Sequence, residues 1–241
     1  MPAAAKKRPA KKPEPAAGFS KETFRFLRDL AANNDREWFA DNRERYETHW
    51  LGAAKAFIRA VDPQLRRISP CFVASDKTVG GSLMRIYRDT RFSKNKTPFK
   101  TNVGIHFKHE FGCDVHAPGF YTHIAPGDCF VGAGIWMPSG EPLKKIRAAI
   151  DADPKSWLKA RDGKAFADEF DLAGESLKVA PAGTPKDHPL IEDLRRKSFI
   201  GVSPLTETDV AGGRLDEIVV AKFRAARGLV KWLCGALDLP Y

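Results

Sequence analysis

The hydrophobic period of this chain changes twice, and that change limits the folds open to it. Between residues 20 and 60 apolar side chains recur at helical spacing. Between 71 and 138 short alternating runs take over, and from 142 onward the helical spacing returns. One block of strands between two blocks of helices is not the strand–helix alternation of a parallel sheet. It predicts an α+β fold: an antiparallel meander sheet of about four strands, flanked by N-terminal and C-terminal helices.

Local signals place the elements. Ser20 suits the N-cap of a helix carrying Phe24, Leu27 and Leu30. Asn34, with Glu37 three residues on, forms a capping-box pattern for a second helix whose apolar face is Trp38, Phe39, Tyr46 and Trp50. A third helix is expected from Ala53 to about Ala60, with Pro63 as its stop or kink. Runs at 83–91, 101–107, 120–124 and 130–137 read as strands, being rich in β-branched and aromatic residues and punctuated by Pro and Gly. Gly132 and Gly134 share one face of the last run, which leaves room for another backbone or a ligand. Pro142 opens an amphipathic helix with Leu143, Ile146 and Ile150 inward; further helices are expected over 154–168, 188–197 and 213–237, with a Gly/Pro-rich connection at 180–189.

Charge is concentrated rather than spread. Of the formal net charge of +10, residues 1–18 contribute +4 and residues 85–100 contribute +5, so the remainder is close to neutral. Residues 1–18 are Ala, Pro and Lys with no large apolar side chain after Met1, the composition of a disordered tail capable of weak, nonspecific nucleic-acid contact. Residues 19–241 are then expected to form a single globular α+β domain. Cys71, Cys113, Cys129 and Cys234 show no C-x-x-C pair, which suits reduced thiols and a cytoplasmic location. No run approaches the roughly 18–20 apolar residues of a membrane span, so no membrane partner is expected.

The densest chemistry lies at 85–100, where six cations and one carboxylate fall within one segment. On a strand, Arg85, Tyr87, Asp89 and Arg91 share one face, and Met84, Ile86 and Arg88 the other. An arginine among apolar neighbours is partly buried, and a buried cation requires a partner or a bound anion. Asp89 points to the wrong face to serve Arg88. The following loop adds Lys94, Lys96, a hydroxyl at Ser93 and another at Thr97, and a rigid Pro98 before Lys100. Arginine forks and ammonium groups held between two strands suit phosphate or carboxylate.

The pattern Arg85-x-x-Arg88-Asp89-x-Arg91-Phe92-x-x-Asn95-Lys96, followed by Thr97-Pro98-Phe99-Lys100, resembles the signature of a family of bacterial and fungal proteins, domain of unknown function 2461. The likeness extends to Leu30-x-x-Asn33-Asn34-x-x-x-Trp38-Phe39-x-x-Asn42, to Gly119-Phe120-Tyr121, to Gly132-x-Gly134-x-Trp136 and to Asp187-His188-Pro189. The family pattern usually ends the motif in tyrosine, where this chain has Phe99, so no acid or base role falls to a hydroxyl there. The resemblance implies membership and no particular activity.

Three readings follow. In the first, an anionic small molecule or nucleotide binds at Arg85, Arg88, Arg91, Lys96 and Lys100, with Asp89 orienting the arginines. In the second, an enzyme uses the same cations to stabilise developing negative charge, with Asp89, His106 or His123 moving the proton. In the third, the motif is an internal ion network, purely structural, and function lies in contacts with other proteins. His106, His109, Cys113, His116 and His123 gather without H-x-x-x-H or C-x-x-C spacing, so neither a metal nor a cofactor is expected. There is no Walker loop and no G-x-S-x-G elbow, and Gly132-x-Gly134 lacks the third glycine of a dinucleotide fingerprint.

Overall fold

The computed structural model describes residues 18–112 and 116–241, so the expected tail lies outside the described residues apart from Gly18, and so does Cys113. Helix α1 (Lys21–Ala32) begins at Ser20, whose backbone N–H donates to Thr23 Oγ1 at 3.2 Å. It buries Phe24, Phe26, Leu27 and Leu30. Helix α2 (Arg36–Asp41) is capped by Asp35, which accepts from the Trp38 N–H at 2.8 Å. The cap is thus one residue later than the Asn34 expected, and Asn34 is released for another task. The short α3 (Arg43–Arg45) runs into a π-helical turn (Tyr46–Gly52) that buries Trp50, and then into α4 (Ala53–Ile68). Pro63 lies inside α4 on its exposed face, away from Phe57, Val61 and Leu65, so the helix passes through it instead of stopping near Ala60.

The sheet follows. Strands β1 (Val103–Lys108), β2 (Gly119–Ala125) and β3 (Asp128–Ile135) form the expected antiparallel meander. Helices α5 (Glu141–Ala152), α6 (Pro154–Arg161) and α7 (Lys164–Ala167) lead to β4 (Asp171–Ala173), and α8 (Ile191–Leu194) leads to β5 (Phe199–Leu205). After α9 (Glu207–Ala211) the long α10 (Leu215–Ala236) closes the described fold. Among the described residues the sheet has five strands in the order β1-β2-β3-β5-β4, all neighbours antiparallel. The α+β architecture is therefore as expected, with β4 and β5 added. The expected helix at 188–197 contracts to α8, and that at 154–168 is broken near Gly163.

Strand parity sorts the two faces. Ile105, Thr122, Val131 and Ser203 lie in one cross-strand row and are fully buried beneath α4 and α10. Phe223 of α10 reaches this face and packs on Phe120 and Phe107, with ring centroids 4.6 and 5.5 Å away. The opposite row, His106, Tyr121, Gly132 and Val202, faces away from that core. No described helix is long and apolar enough to cross a membrane.

The run at 83–91 is not a strand of the sheet. It pairs with β1 at the isolated Leu83–Ile105 bridge, where the Met84 N–H donates to Gly104 O at 2.9 Å, then leaves the sheet and pairs with its own return segment at Tyr87–Phe99. The Arg88 N–H donates to Pro98 O at 2.9 Å and the Lys100 N–H to Ile86 O at 2.7 Å. The motif is a projecting arm, not a sheet strand.

Candidate functional site: the arginine arm and its groove

The arm is held to the helices by one amide side chain and by packed rings. Asn34, freed from capping, donates from Nδ2 to Phe99 O and accepts the Phe99 N–H at Oδ1, both at 3.0 Å. A side-chain amide thus makes both hydrogen bonds to the Phe99 backbone. The Phe99 ring is buried and stacks on Phe39 of α2 at 4.1 Å, and Tyr87 leans on both rings from a half-exposed position. A tyrosine hydroxyl has no evident need here; the ring serves packing.

At the tip, Thr97 links two residues, Asn95 and Arg88. Its N–H and hydroxyl donate to Asn95 Oδ1 at 2.9 and 2.8 Å, and its hydroxyl oxygen accepts from Arg88 Nη1. Lys96 Nζ crosses the neck of the loop to Thr90 O at 2.9 Å. Arg91 donates from Nε and Nη2 to Asp89 Oδ1 and Oδ2 at 3.0 and 2.7 Å, an exposed fork that holds the Asp89 carboxyl down at about 2.

The arm and the α1–α2 corner enclose a groove of about 910 Å³, with Asn34, Arg36, Arg43, Tyr87, Arg88 and Lys96 in its walls. A second recess of about 420 Å³ lies across Arg88 and Thr97, bordered by Asn95, Lys100 and Asn102. Arg88, partly buried as parity predicted, belongs to both. Among the described residues no carboxylate forms an ion pair with Arg36, Arg85, Arg88, Lys96 or Lys100. Arg43 is engaged by Glu47 at 2.9 Å. Burial, and then the neighbouring Arg85 charge, lower the pKa of Lys100. Asp35 also lines the groove, where it caps α2, but among the described residues it forms no ion pair with these cations.

The expected site residues therefore divide. Arg88 lines both recesses, Lys96 the groove and Lys100 the second recess; Arg85 acts on Lys100 through its field; Arg91 is taken up by Asp89 and lines neither. Neither His106 nor His123 borders the groove. His106 lies on the outer sheet face. His123 meets Tyr121 Oη through Nδ1 at 3.1 Å and has Asp128 3.7 Å from Nε2. Burial raises the Tyr121 phenol to about 12 and lowers the His123 pKa. Both shifts favour neutral groups, with the phenol donating and Nδ1 accepting. Sequence reasoning missed Asn34 as the clamp, and Arg36, Arg43 and Tyr87 as groove walls. The one signal for Asn34 is its place beside Asn33 in the N-terminal pattern. Among the described residues no group of three His, Cys, Asp or Glu side chains is placed to hold a metal ion.

Fold and groove together define an α+β protein with a cation-lined recess on an arm beside its sheet. The chain belongs to the family of conserved hypothetical proteins DUF2461, whose model matches residues 22–232. No curated protein and no solved structure matches it.

Proposed function

We propose that the recess at the arm binds a phosphate-bearing or otherwise anionic ligand, with Arg88 as the central contact. Lys96 and Lys100 flank it from the two sides, Arg85 adds to the local positive field, and the Asp89–Arg91 fork braces the arm. The observation that carries this reading is Arg88 itself. It is a partly buried guanidinium whose side-chain partner is a neutral hydroxyl, with further cations nearby and no described carboxylate paired to it. Burying such a charge is costly unless an anion completes the site.

Isothermal titration with inorganic phosphate, pyrophosphate, a nucleoside monophosphate and citrate tests it. At least one of these ligands is expected to bind saturably, and Arg88→Ala to weaken that binding tenfold or more while the protein stays folded. Absence of binding by all four, or unfolding on Arg88→Ala with binding retained by the folded fraction, would make the motif structural.

A further inference from the structure

We propose that the outer face of the sheet carries a second binding site, for a flat aromatic or heteroaromatic molecule. None of its lining residues belongs to the groove at the arm. The face holds a cavity of about 430 Å³, bounded by Met84, Tyr121, Phe130, Trp136, Ile200 and Val202, with His106 as its polar wall. That volume is within the range of small-molecule sites, and apolar walls with few polar groups are their usual composition. A helix does not fit into such a space, whereas a fused ring system does.

The floor supplies the argument for a ligand. It is bare backbone at Gly119, Gly132 and Gly134. Two of these glycines are required by the fold. A Cβ on Gly134 would lie 2.1 Å from Phe199 O, and one on Gly119 would lie 2.6 Å from His106 Nε2 and 2.7 Å from Phe107 O. At Gly104 and Gly201, elsewhere in the sheet, an added Cβ would press on side chains, Tyr121 Oη at 2.7 Å and the Phe166 ring at 2.5 Å. Gly132 is different. Its backbone is of the ordinary kind, and an added Cβ would find its nearest neighbour, Tyr121 Cβ, at an ordinary 3.4 Å. A glycine in the middle of a central strand weakens that strand, and where neither sterics nor backbone requires it, close approach by another molecule is a standing reason for it. The empty space above Gly132 is what the glycine provides.

The wall beside it is held open in an unusual way. Trp136 is 52% exposed, yet its ring stacks on His116 with a centroid distance of 5.5 Å and an 11° interplanar angle, and its carbonyl meets His116 Nδ1 at 2.9 Å. The next residue, Met137, has φ of 46°, a conformation that a bulky side chain rarely adopts. Such outliers persist where the surroundings enforce them and gather at ligand sites. Phe130 on the other side stacks on His123 at 4.7 Å. Fixed aromatic walls around a glycine floor make a slot for a planar ring.

The test uses the full chain and ligand-observed NMR, with 2-naphthol and indole as flat uncharged probes and 1-decanol as a flexible control. Both flat probes are expected to bind saturably and more tightly than decanol. Gly132→Val, which fills the floor, is expected to weaken them about tenfold or more, the scale of a steric change in a ring pocket, with no loss of Tm. Should Gly132→Val melt well below the wild type, Trp136→Ala takes its place, since a half-exposed ring is removed at little cost to the core. The proposal is overturned if the flat probes fail to saturate, or if they bind the variants as well as the wild type. Preference for decanol also overturns it. So does a wild-type dimer that Gly132→Val turns into a monomer, which would make a second copy the occupant of this face.

Discussion

Two arginine clusters in this protein have opposite fates. Arg161 and Arg196 converge on Asp193, a buried carboxylate, at 2.6 and 3.4 Å. Arg88 and Lys100 border one recess and Arg85 acts on Lys100, with no described carboxylate paired to any of them; the one carboxylate of their segment, Asp89, is exposed and taken up by Arg91. The first cluster is neutralised by the chain that carries it and ties α6 to α8. The second is left open. Arginine content alone does not distinguish a fold anchor from a binding site; the supply of carboxylate at the same depth does.

The contrast is sharpest under substitution. Asp193→Ala leaves Arg196 without its carboxylate and takes from Arg161 one of two, the fork to Asp162 remaining. The expected cost is about 3 kcal/mol, the low end for breaking a buried pair, read by urea unfolding, with anion binding at the arm unchanged. Arg88→Ala is expected to act on binding instead. Loss of a charged hydrogen-bonding partner is worth about 1.5–3 kcal/mol of affinity, seen by titration, against a stability change near or below 1 kcal/mol. Asn34→Ala leaves the Phe99 N–H and C=O without their partner, with an expected cost of about 1–3 kcal/mol. Hydrogen exchange at the Phe99 amide should accelerate in that variant ahead of amides in β1–β3.

The pH dependences are smaller. Burial and Arg85 lower the Lys100 pKa from its ordinary 10.5, so the free site loses a cation before an ordinary lysine would. Affinity for an anion should be flat below that lowered pKa and fall as pH rises through it, a decline that Lys100→Arg should postpone. At His123 burial lowers the pKa from 6.5, so the unfolded chain binds the proton more tightly than the folded one. Stability from this residue is complete above 6.5 and declines as pH falls below it. His123→Gln should flatten that part of a Tm–pH curve.

Elements with a strong local period were readable from the residues. Helices α1, α5 and α10 and strands β1–β3 all show it. Strand β5 hid because two of its core-facing positions are Gly201 and Ser203, not large apolar residues. The rings of α7 and its flank take up the space at Gly201, where an added Cβ would lie 2.5 Å from Phe166. A strand whose partners fill its core position for it has little alternation to detect. The arm misled in a different way. Its parity was right, with Ile86 buried, Arg88 half-buried and Arg85, Tyr87, Asp89 and Arg91 exposed. Its partner was not, because the contact that draws it off the sheet is between Asn34 and Phe99, 65 residues apart. The same distance hid Arg36 and Arg43, which look like any other helix-surface arginines until the arm is laid against them.

The most direct test of the central claim compares the two clusters in one experiment. Tm would be measured for the wild type, Arg88→Ala and Arg196→Ala, each with and without inorganic pyrophosphate at about one hundred times its wild-type Kd. Binding at that level contributes about 2.7 kcal/mol, a rise of roughly 5–10 °C in a chain of this size. The account predicts that Arg196→Ala melts lower but keeps the full rise, while Arg88→Ala melts near the wild type and loses it. The reverse pattern, with a rise that survives Arg88→Ala and vanishes in Arg196→Ala, would contradict it.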